Sequence, residues 1–457
     1  MRFIVLKKFL AGWSAAILFN IIPALFAITV GYDRGLFVLE SLPLVLLAGV
    51  EAGFFVFIYG VFFAGLELIY GVSQAYPLFE ATQLIDVVEF LPNANKKYIL
   101  LVAMYFFVFF GVVFLGAKLS RFSGKFSLSI VVLMICGFSL GEKFNNFSYE
   151  SEKFFILNQT LVGGVYFSLE GSRRFNNAPQ EKKEGGVPFA LWEHSNVPMN
   201  VWAGGVLPKK ILFVMVESWG MPINQEEYIY QLRNLKSKKN IKILNEGLIK
   251  YGGGTAVAEL RELCRLYPHA LSFRDIPEDF AKNCLPRKLR DEGRLTVALH
   301  AASGHMYHRE DWYPRIGFEE TYFFDNPIAK ARKCFSFPGY CDVDFIDAVK
   351  NKIISSESIF FYWLTLNSHI PYDARDLKRR DDGICRILGI EARDRCIHFQ
   401  LLQEFFSDFA EKFDDPGVKD LHVVFVGDHS PPFLGVGIRK YFSKDDMVPF
   451  LYLRVGK

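Results

Sequence analysis

Residues 210–216 read KILFVMV, an apolar run headed by one lysine and followed at once by Glu217. A strand with one wet face alternates polar and apolar residues, whereas a continuous run marks a strand buried on both faces. Three later runs share this character: 294–300 (RLTVALH), 358–366 (SIFFYWLTL) and 421–427 (LHVVFVG). Helix-like segments lie between and beside them at 256–266, 279–291, 341–354 and 391–413. Buried strands alternating with helices predict an α/β domain over 208–457 with a mostly parallel central sheet. In such sheets ligands gather at the carboxyl ends of the strands. There the sequence places Glu217 after the first run, His369 just past the third, and Asp428 with His429 after the fourth. Any one of these alone reads as a satisfied polar group; their shared location is the informative part. A further element, Gly252-Gly253-Gly254-Thr255, precedes the segment AVAELRELC. Glycines let a backbone approach a phosphate closely, and a helix N-terminus favours an anion. The plainer reading is a loop ended by Thr255 as a helix N-cap.

The amino-terminal half has a different solvent. Residues 9–30 (FLAGWSAAILFNIIPALFAITV) carry no charge and at 1.5 Å per residue cross a hydrocarbon core. A cleaved leader is the rival reading, but further apolar segments follow. The apolar stretch 35–72 would run about 57 Å as one helix, too long for a single span. Gly49 to Gly53, with Glu51 among them, is the natural turn, because a carboxylate in mid-bilayer is costly. Two more spans are expected near 98–117 and 126–141. Five helices with a cytoplasmic amino terminus put Arg2, Lys7, Lys8, Lys118, Arg121 and Lys125 inside and only Arg34, Lys96 and Lys97 outside. A single helix over 35–72 would weaken that bias. The five-helix arrangement makes 1–141 a transmembrane domain and places the later residues outside the cytoplasm. Residues 142–207 mix aromatics such as Phe147, Tyr149, Phe154 and Phe155 with charge before a polar run at 176–186. They read as a membrane-surface connector and linker, or as surface helices of the later domain.

Composition agrees with this division. Of 457 residues, 51% are hydrophobic and 22% charged, and the net charge of +3 gives no footing for a nucleic-acid partner. Of seven cysteines, Cys136 falls in the last apolar span. The other six form sequence-adjacent pairs: Cys264 with Cys284, Cys334 with Cys341, and Cys385 with Cys396. In an exported domain these are the simplest disulfides, and no CxxC spacing supports a metal cluster.

Taken together, VESWG at 216–220, GGGT at 252–255, SHIPY at 368–372 and GDHSPP at 427–432 resemble the lipoteichoic acid synthase and phosphoethanolamine transferase families. These are sulfatase-like proteins of the alkaline phosphatase superfamily. The resemblance covers nearly the whole chain, since those families carry five transmembrane helices before an extracytoplasmic catalytic domain. It implies that Glu217, Asp428 and His429 hold one divalent metal, and that Thr255 is the nucleophile with its hydroxyl oxygen on the same ion. Oxygen and imidazole donors in a four-coordinate site suit zinc in preference to manganese. A threonine hydroxyl is a poor nucleophile until a cation stabilises its alkoxide. The stretch 300–318 (HAASGHMYHREDWYPRIGF) resembles the family segment that approaches the lipid headgroup. On that reading Tyr307 and Arg309 line the headgroup and phosphate site, and His369 contacts the phosphate or protonates the leaving group. A rival metal site of His300, His305 and His308 matches no common zinc spacing. Sulfatases proper need Cys or Ser at the nucleophile position, followed by Pro and Arg. Thr255-Ala256-Val257-Ala258 therefore speaks against sulfate ester hydrolysis.

The implied protein is an inner-membrane, multi-pass transferase with a periplasmic catalytic domain. It moves phosphoethanolamine or phosphoglycerol from a membrane phospholipid, through a phospho-threonine, to an envelope glycan or lipid such as lipopolysaccharide. A phosphodiester hydrolase would share every metal ligand and let water take the acceptor's place. A non-catalytic membrane scaffold would have no use for Glu217, Thr255, Asp428 and His429 together.

Overall fold

The structure, a computed structural model, describes residues 2–30, 34, 37–75, 96–123, 125–144, 161–162, 189–191, 207–268, 275–370, 372–431, 441–442 and 447–456. Most of the 142–207 connector lies outside these residues. The chain divides into two compact units, one mainly of residues 1–81 and 94–174, the other mainly of 175–433 and 437–457.

Among the described residues the first unit has five apolar helices: α1 (Arg2–Val30), α2 (Leu42–Gly49), α3 (Gly53–Ala75), α4 (Lys96–Ser123) and α5 (Lys125–Phe144). Three stretches, Ile4–Ala27, Gly53–Gly71 and Val102–Ser123, are long and apolar enough to cross a membrane, while Leu39–Gly49 and Ser127–Gly137 are shorter. The long apolar stretch breaks where Glu51 interrupts it. Glu51 is exposed and takes a left-handed φ of 61°, and the turn closes through Val50 N–H to the Leu46 carbonyl and Ala52 N–H to the Leu47 carbonyl. Inside the bundle lies a polar cluster that hydropathy does not reveal. Arg34 donates from Nε and Nη2 to Glu67 on α3, with a shortest distance of 2.6 Å, and from Nη2 to Asn20 Oδ1 on α1. Both charged side chains are fully buried.

Among the described residues the second unit holds nine strands: β1 (Phe189–Leu191), β2 (Lys210–Val216), β3 (Ile241–Lys250), β4 (Leu266–Pro268), β5 (Leu295–His300), β6 (Glu320–Tyr322), β7 (Ile359–Leu364), β8 (Leu421–Gly427) and β9 (Met447–Val455). β1 and β4 form a small antiparallel pair, and the rest form one sheet in the order β3-β9-β8-β2-β7-β5-β6. The strands from β8 to β6 are parallel; toward the other edge β9 runs antiparallel to both its neighbours, β8 and β3. The sheet is thus mixed rather than wholly parallel. The edge strand was hidden because an edge keeps a wet face, and β3 (IKILNEGLIK) dilutes its apolar residues accordingly.

The helices of this unit that position the site are α6 (Gln225–Ser237), α7 (Thr255–Cys264), α8 (Arg309–Arg315), α9 (Ile346–Ser355) and α10 (Arg393–Phe413). β2 sits mid-sheet and is buried on both faces. Leu212, Val214 and Val216 join the core beneath α6, α9 and α10, while Ile211, Phe213 and Met215 join the core beneath α7 and α8. Phe405, Phe406, Phe409 and Phe413, spaced for one helical face, fill the first core. Truncating one such ring to alanine costs about 3–5 kcal/mol. The segment expected as one helix over 279–291 is two, Glu278–Ala281 and Leu285–Asp291. The chain turns between them at Cys284, and Pro286 opens the second. Cys284 is tied to Cys264, Cys334 to Cys341 and Cys385 to Cys396, the three expected pairs, and Cys136 is free.

Candidate metal and nucleophile site

Strand register creates the site. Val216 at the end of β2 pairs with Gly427 at the end of β8, so Glu217 and Asp428 leave the sheet side by side. Gly427 has to be glycine here, since a Cβ would lie 2.1 Å from the Trp219 carbonyl oxygen. Opposite them α7 begins at Thr255. Its N-cap is Gly254 with no side-chain cap bond, so Thr255 is the first helical residue and its hydroxyl is not spent on capping. Gly253, at φ +74°, makes the turn that delivers it.

Thr255 Oγ1 lies 2.9 Å from Asp428 Oδ2, 3.2 Å from Glu217 Oε2 and 3.4 Å from His429 Nε2. Glu217, Asp428 and His429 are all buried, and one ligand atom from each falls within 4.8 Å of the others. Burial first, and then the neighbouring Glu217 carboxylate, push the Asp428 carboxyl up to about 7. Two carboxylates enclosed this closely need either a shared proton or a cation. Burial lowers the His429 pKa, and the Asp428 and Glu217 carboxylates more than offset it, so the imidazole can itself supply a positive charge here. His429 Nδ1 is 2.9 Å from the Ser430 carbonyl, which can only accept, so Nδ1 carries a proton, and Nε2, 3.3 Å from Asp428 Oδ2, is the nitrogen a metal would bind in place of a second proton. The donor set, two carboxylates, one imidazole and one hydroxyl, fits a divalent metal.

The surrounding contacts hold this geometry from several elements. Glu217 N–H donates to Thr365 Oγ1 at 2.9 Å, and Ser368 Oγ donates to the Glu217 carbonyl at 2.5 Å. Arg261, buried on α7, donates to the Gly427 and Asp428 carbonyls at 3.2 and 3.4 Å and pairs with Glu262 at 2.7 Å. The nucleophile helix and the ligand turn after β8 are therefore clamped together.

His369 is half-buried near this group. Its Nδ1 bonds the Ile370 carbonyl, the Phe337 ring packs on it at 4.4 Å, and burial lowers its pKa to about 4. It is a neutral imidazole. Arg309 departs from the sequence expectation. The resemblance has it lining the phosphate site, but its guanidinium makes two bonds to Glu259 of α7, with Nε at 2.9 Å and Nη2 at 2.8 Å, while Nη1 donates to the Met306 carbonyl. Glu259 also accepts from the Tyr313 and Tyr362 hydroxyls. Burial alone would lower the Arg309 pKa; the Glu259 carboxylate more than offsets it, so the guanidinium stays charged. Tyr307 stands over Arg309, 5.1 Å from ring centroid to guanidinium, and with His308 adopts left-handed φ angles of 54° and 52°. His300, His305 and His308 are not gathered: they face the Leu364 carbonyl, Glu310 and Asp311 respectively. Among the described residues the other acid-and-thiol group is Cys334, Cys341 and Asp376, whose sulfurs are joined to each other.

Sequence reasoning passed over Ser218, Arg261, Glu259, Thr365 and His398. Glu259 and Arg261, with Glu262, left one signal: charges in an otherwise apolar helix read as a solvated face, yet every residue from Ala256 to Cys264 is buried. His398 on α10 donates from Nε2 to the Ser218 carbonyl at 3.0 Å and had no motif to mark it.

Residues 209–451 match the Sulfatase family model, more than half of the chain, and the protein belongs to that family. Among solved structures it is similar to the lipoteichoic acid synthase LtaP from Listeria monocytogenes, at 18% identity over 53% of this chain and 65% of that one, TM-score 0.38. Similarity extends to the Streptococcus pyogenes phosphoglycerol transferase GacH, solved with sn-glycerol-1-phosphate, at 18% identity over 54% of this chain and 68% of that one, TM-score 0.40. The periplasmic domain of EcEptC from Escherichia coli, solved with zinc, gives 11% identity over 55% of this chain and 74% of that one, TM-score 0.35. The chain thus spans just under two thirds of the Listeria protein. No curated protein matches it.

Proposed function

We propose that the protein is a membrane-bound, metal-dependent transferase. It passes phosphoethanolamine or phosphoglycerol from a phospholipid to an envelope glycan or lipid by way of phospho-Thr255. The observation that carries this reading is the placement of Thr255 Oγ1, at the first position of α7, against Asp428, Glu217 and His429. Glu217, Asp428, His429 and Thr255 would hold one divalent ion, zinc in preference to manganese, and the ion would stabilise the threonine alkoxide. Thr255 Oγ1 attacks phosphorus, the bond from phosphorus to the lipid oxygen breaks, and the lipid leaves as its alcohol. An acceptor hydroxyl then attacks phospho-Thr255 and restores the threonine. Backbone N–H groups at the start of α7 favour the added negative charge. His369, neutral in the resting protein, accepts a proton before it can give one. Arg309, fixed by Glu259, presents a permanent positive charge from beneath Tyr307.

The same reading takes the first unit as a five-pass anchor in an inner membrane, keeping the site near lipid headgroups, with the second unit periplasmic. Three disulfides favour such an oxidising compartment. The experiment is mass spectrometry of the Thr255 peptide after the zinc-loaded full chain in detergent meets headgroup-labelled phospholipids. A headgroup-phosphate adduct on Thr255, and a Thr255→Ala protein slower by roughly 10³-fold or more, are expected. Transfer at the normal rate by Thr255→Ala would overturn the covalent route. Release of the headgroup to water without acceptor dependence would make the protein a hydrolase.

A further inference from the structure

Ser218 occupies a backbone conformation that serine avoids. Its φ is +53°, in the left-handed region, where a side chain crowds its own carbonyl and glycine or asparagine is the usual occupant. Strain of this kind persists where neighbouring contacts require it. Ser218 makes four hydrogen bonds through three groups that point in three directions. Its Oγ donates to Glu217 Oε1 at 2.8 Å, and its N–H donates to Asp428 Oδ1 at 2.7 Å. Its carbonyl accepts from His398 Nε2 at 3.0 Å and from Gly220 N–H at 3.1 Å. The residue is fully buried, so no water competes for these groups.

The contacts sort the carboxylate oxygens. Glu217 Oε1 and Asp428 Oδ1 are held by Ser218, the latter also by the His429 N–H at 2.7 Å. Glu217 Oε2 and Asp428 Oδ2 are the oxygens within bonding distance of Thr255 Oγ1. One residue thereby fixes which oxygen of each acid faces the nucleophile. A serine in an ordinary extended or helical conformation would not aim N–H and Oγ at two different acids while turning its carbonyl to α10.

We propose that Ser218 is a positioning residue that orients Glu217 and Asp428 toward the metal and Thr255, with His398 holding Ser218 from behind. This inference rests on the metal site proposed above. Groups that orient ligating carboxylates typically change metal affinity by roughly 10–100-fold when removed. Ser218→Gly separates positioning from stability: it removes the hydroxyl bond to Glu217, keeps the N–H to Asp428, and relieves the left-handed strain. Ser218→Ala removes the same bond and keeps the strain.

The test is zinc affinity of the metal-stripped full chain in detergent, by competition with a chromophoric chelator, beside thermal stability of the metal-free protein. Ser218→Gly and Ser218→Ala should both weaken zinc by roughly 10–100-fold, with the glycine variant at least as heat-stable as the parent. A residue that served only the fold would lower affinity and stability together. The control is His429→Ala. If it loses zinc while Ser218→Gly binds as tightly as the parent, the positioning role is wrong and the metal site stands. If His429→Ala also keeps full affinity, the metal site itself fails and the Ser218 role goes with it.

Discussion

Both units bury arginines against glutamates, and two such pairs, Arg34 with Glu67 and Arg309 with Glu259, differ in what surrounds them. Arg34 and Glu67 meet inside the apolar bundle, with Arg34 beyond the end of α1 at Val30 and Asn20 as a second acceptor. Arg309 and Glu259 meet in the interior of the catalytic unit, where Glu259 also accepts from Tyr313 and Tyr362. A buried pair is weak evidence of stability, but breaking one strands a charge, and the cost depends on where that charge can go. Arg34 stands on a connection between helices, so its long side chain can reach toward an interface. Arg309 sits on α8 beside the buried Trp312 and Tyr313 and has no such exit. Enclosure, more than the pairing itself, sets the worth of the contact.

The largest expected effect tests whether the two units are stabilised by different means. All six disulfide cysteines lie in the catalytic unit and close spans of 20, 7 and 11 residues, while Cys136 belongs to the bundle. Each closure contributes about 2–4 kcal/mol. Reduction should therefore unfold the catalytic unit at markedly lower temperature and leave helical content of the bundle unchanged, as followed by near- and far-UV circular dichroism. Equal loss in both units would break the comparison.

Next in size is Glu259→Gln. It leaves the Arg309 guanidinium without its carboxylate in an interior that offers no water, at a cost of about 3–5 kcal/mol. Denaturant unfolding of the full chain in detergent measures it. A loss below about 1 kcal/mol, the range of an exposed pair, would show that Arg309 finds an exit after all.

What the sequence disclosed follows the same line between open and enclosed chemistry. Strands β2, β5, β7 and β8 were legible because continuous apolar runs have few other uses, and their ends carried Glu217, Asp428 and His429 into view. The break at Glu51 was legible because a charge in an apolar stretch has one economical position. Disulfide pairing followed from adjacency. Residues whose meaning comes from partners distant in sequence stayed hidden: Glu67 is the one charge in its helix, and Ser218 acts on Asp428 through a contact that only the β2–β8 register creates. Arg309 was visible as a charge near the site, but its partner was not, because Glu259 lies in a segment that reads as amphipathic and is buried throughout.

A third prediction uses enclosure without an ion pair. His398 is buried, and desolvation lowers its pKa to about 3 against an unfolded value of about 6.5. Below pH 6.5 the unfolded chain gains a proton that the folded chain refuses, so this residue's contribution is complete above pH 6.5 and falls as pH drops toward 3. Between pH 6.5 and 4.5 the stability advantage of the parent over His398→Gln should shrink by about 2–3 kcal/mol. An advantage that stayed constant across that window would mean that His398 reaches solvent when protonated.

The smallest expected effect is Glu67→Gln, and it addresses the bundle directly. The substitution keeps a side-chain oxygen that can accept from Arg34, so one hydrogen bond survives while the charge pairing is lost. Arg34 then carries an unneutralised charge, but its place after α1 and its long side chain let the guanidinium move toward the headgroup region. Polar contacts between membrane helices are worth about 0.6 kcal/mol on average and seldom exceed about 1.7 kcal/mol, so a loss of about 1 kcal/mol is expected in detergent unfolding. Arg34→Leu poses the converse case. It leaves Glu67, on the body of α3 rather than at a connection, without a cation and without the length to reach the interface. The arginine deletion should therefore destabilise the bundle more than the glutamine substitution. Equal losses, or a loss on Glu67→Gln as large as that of Glu259→Gln, would show that the bundle encloses its arginine as tightly as the catalytic core does.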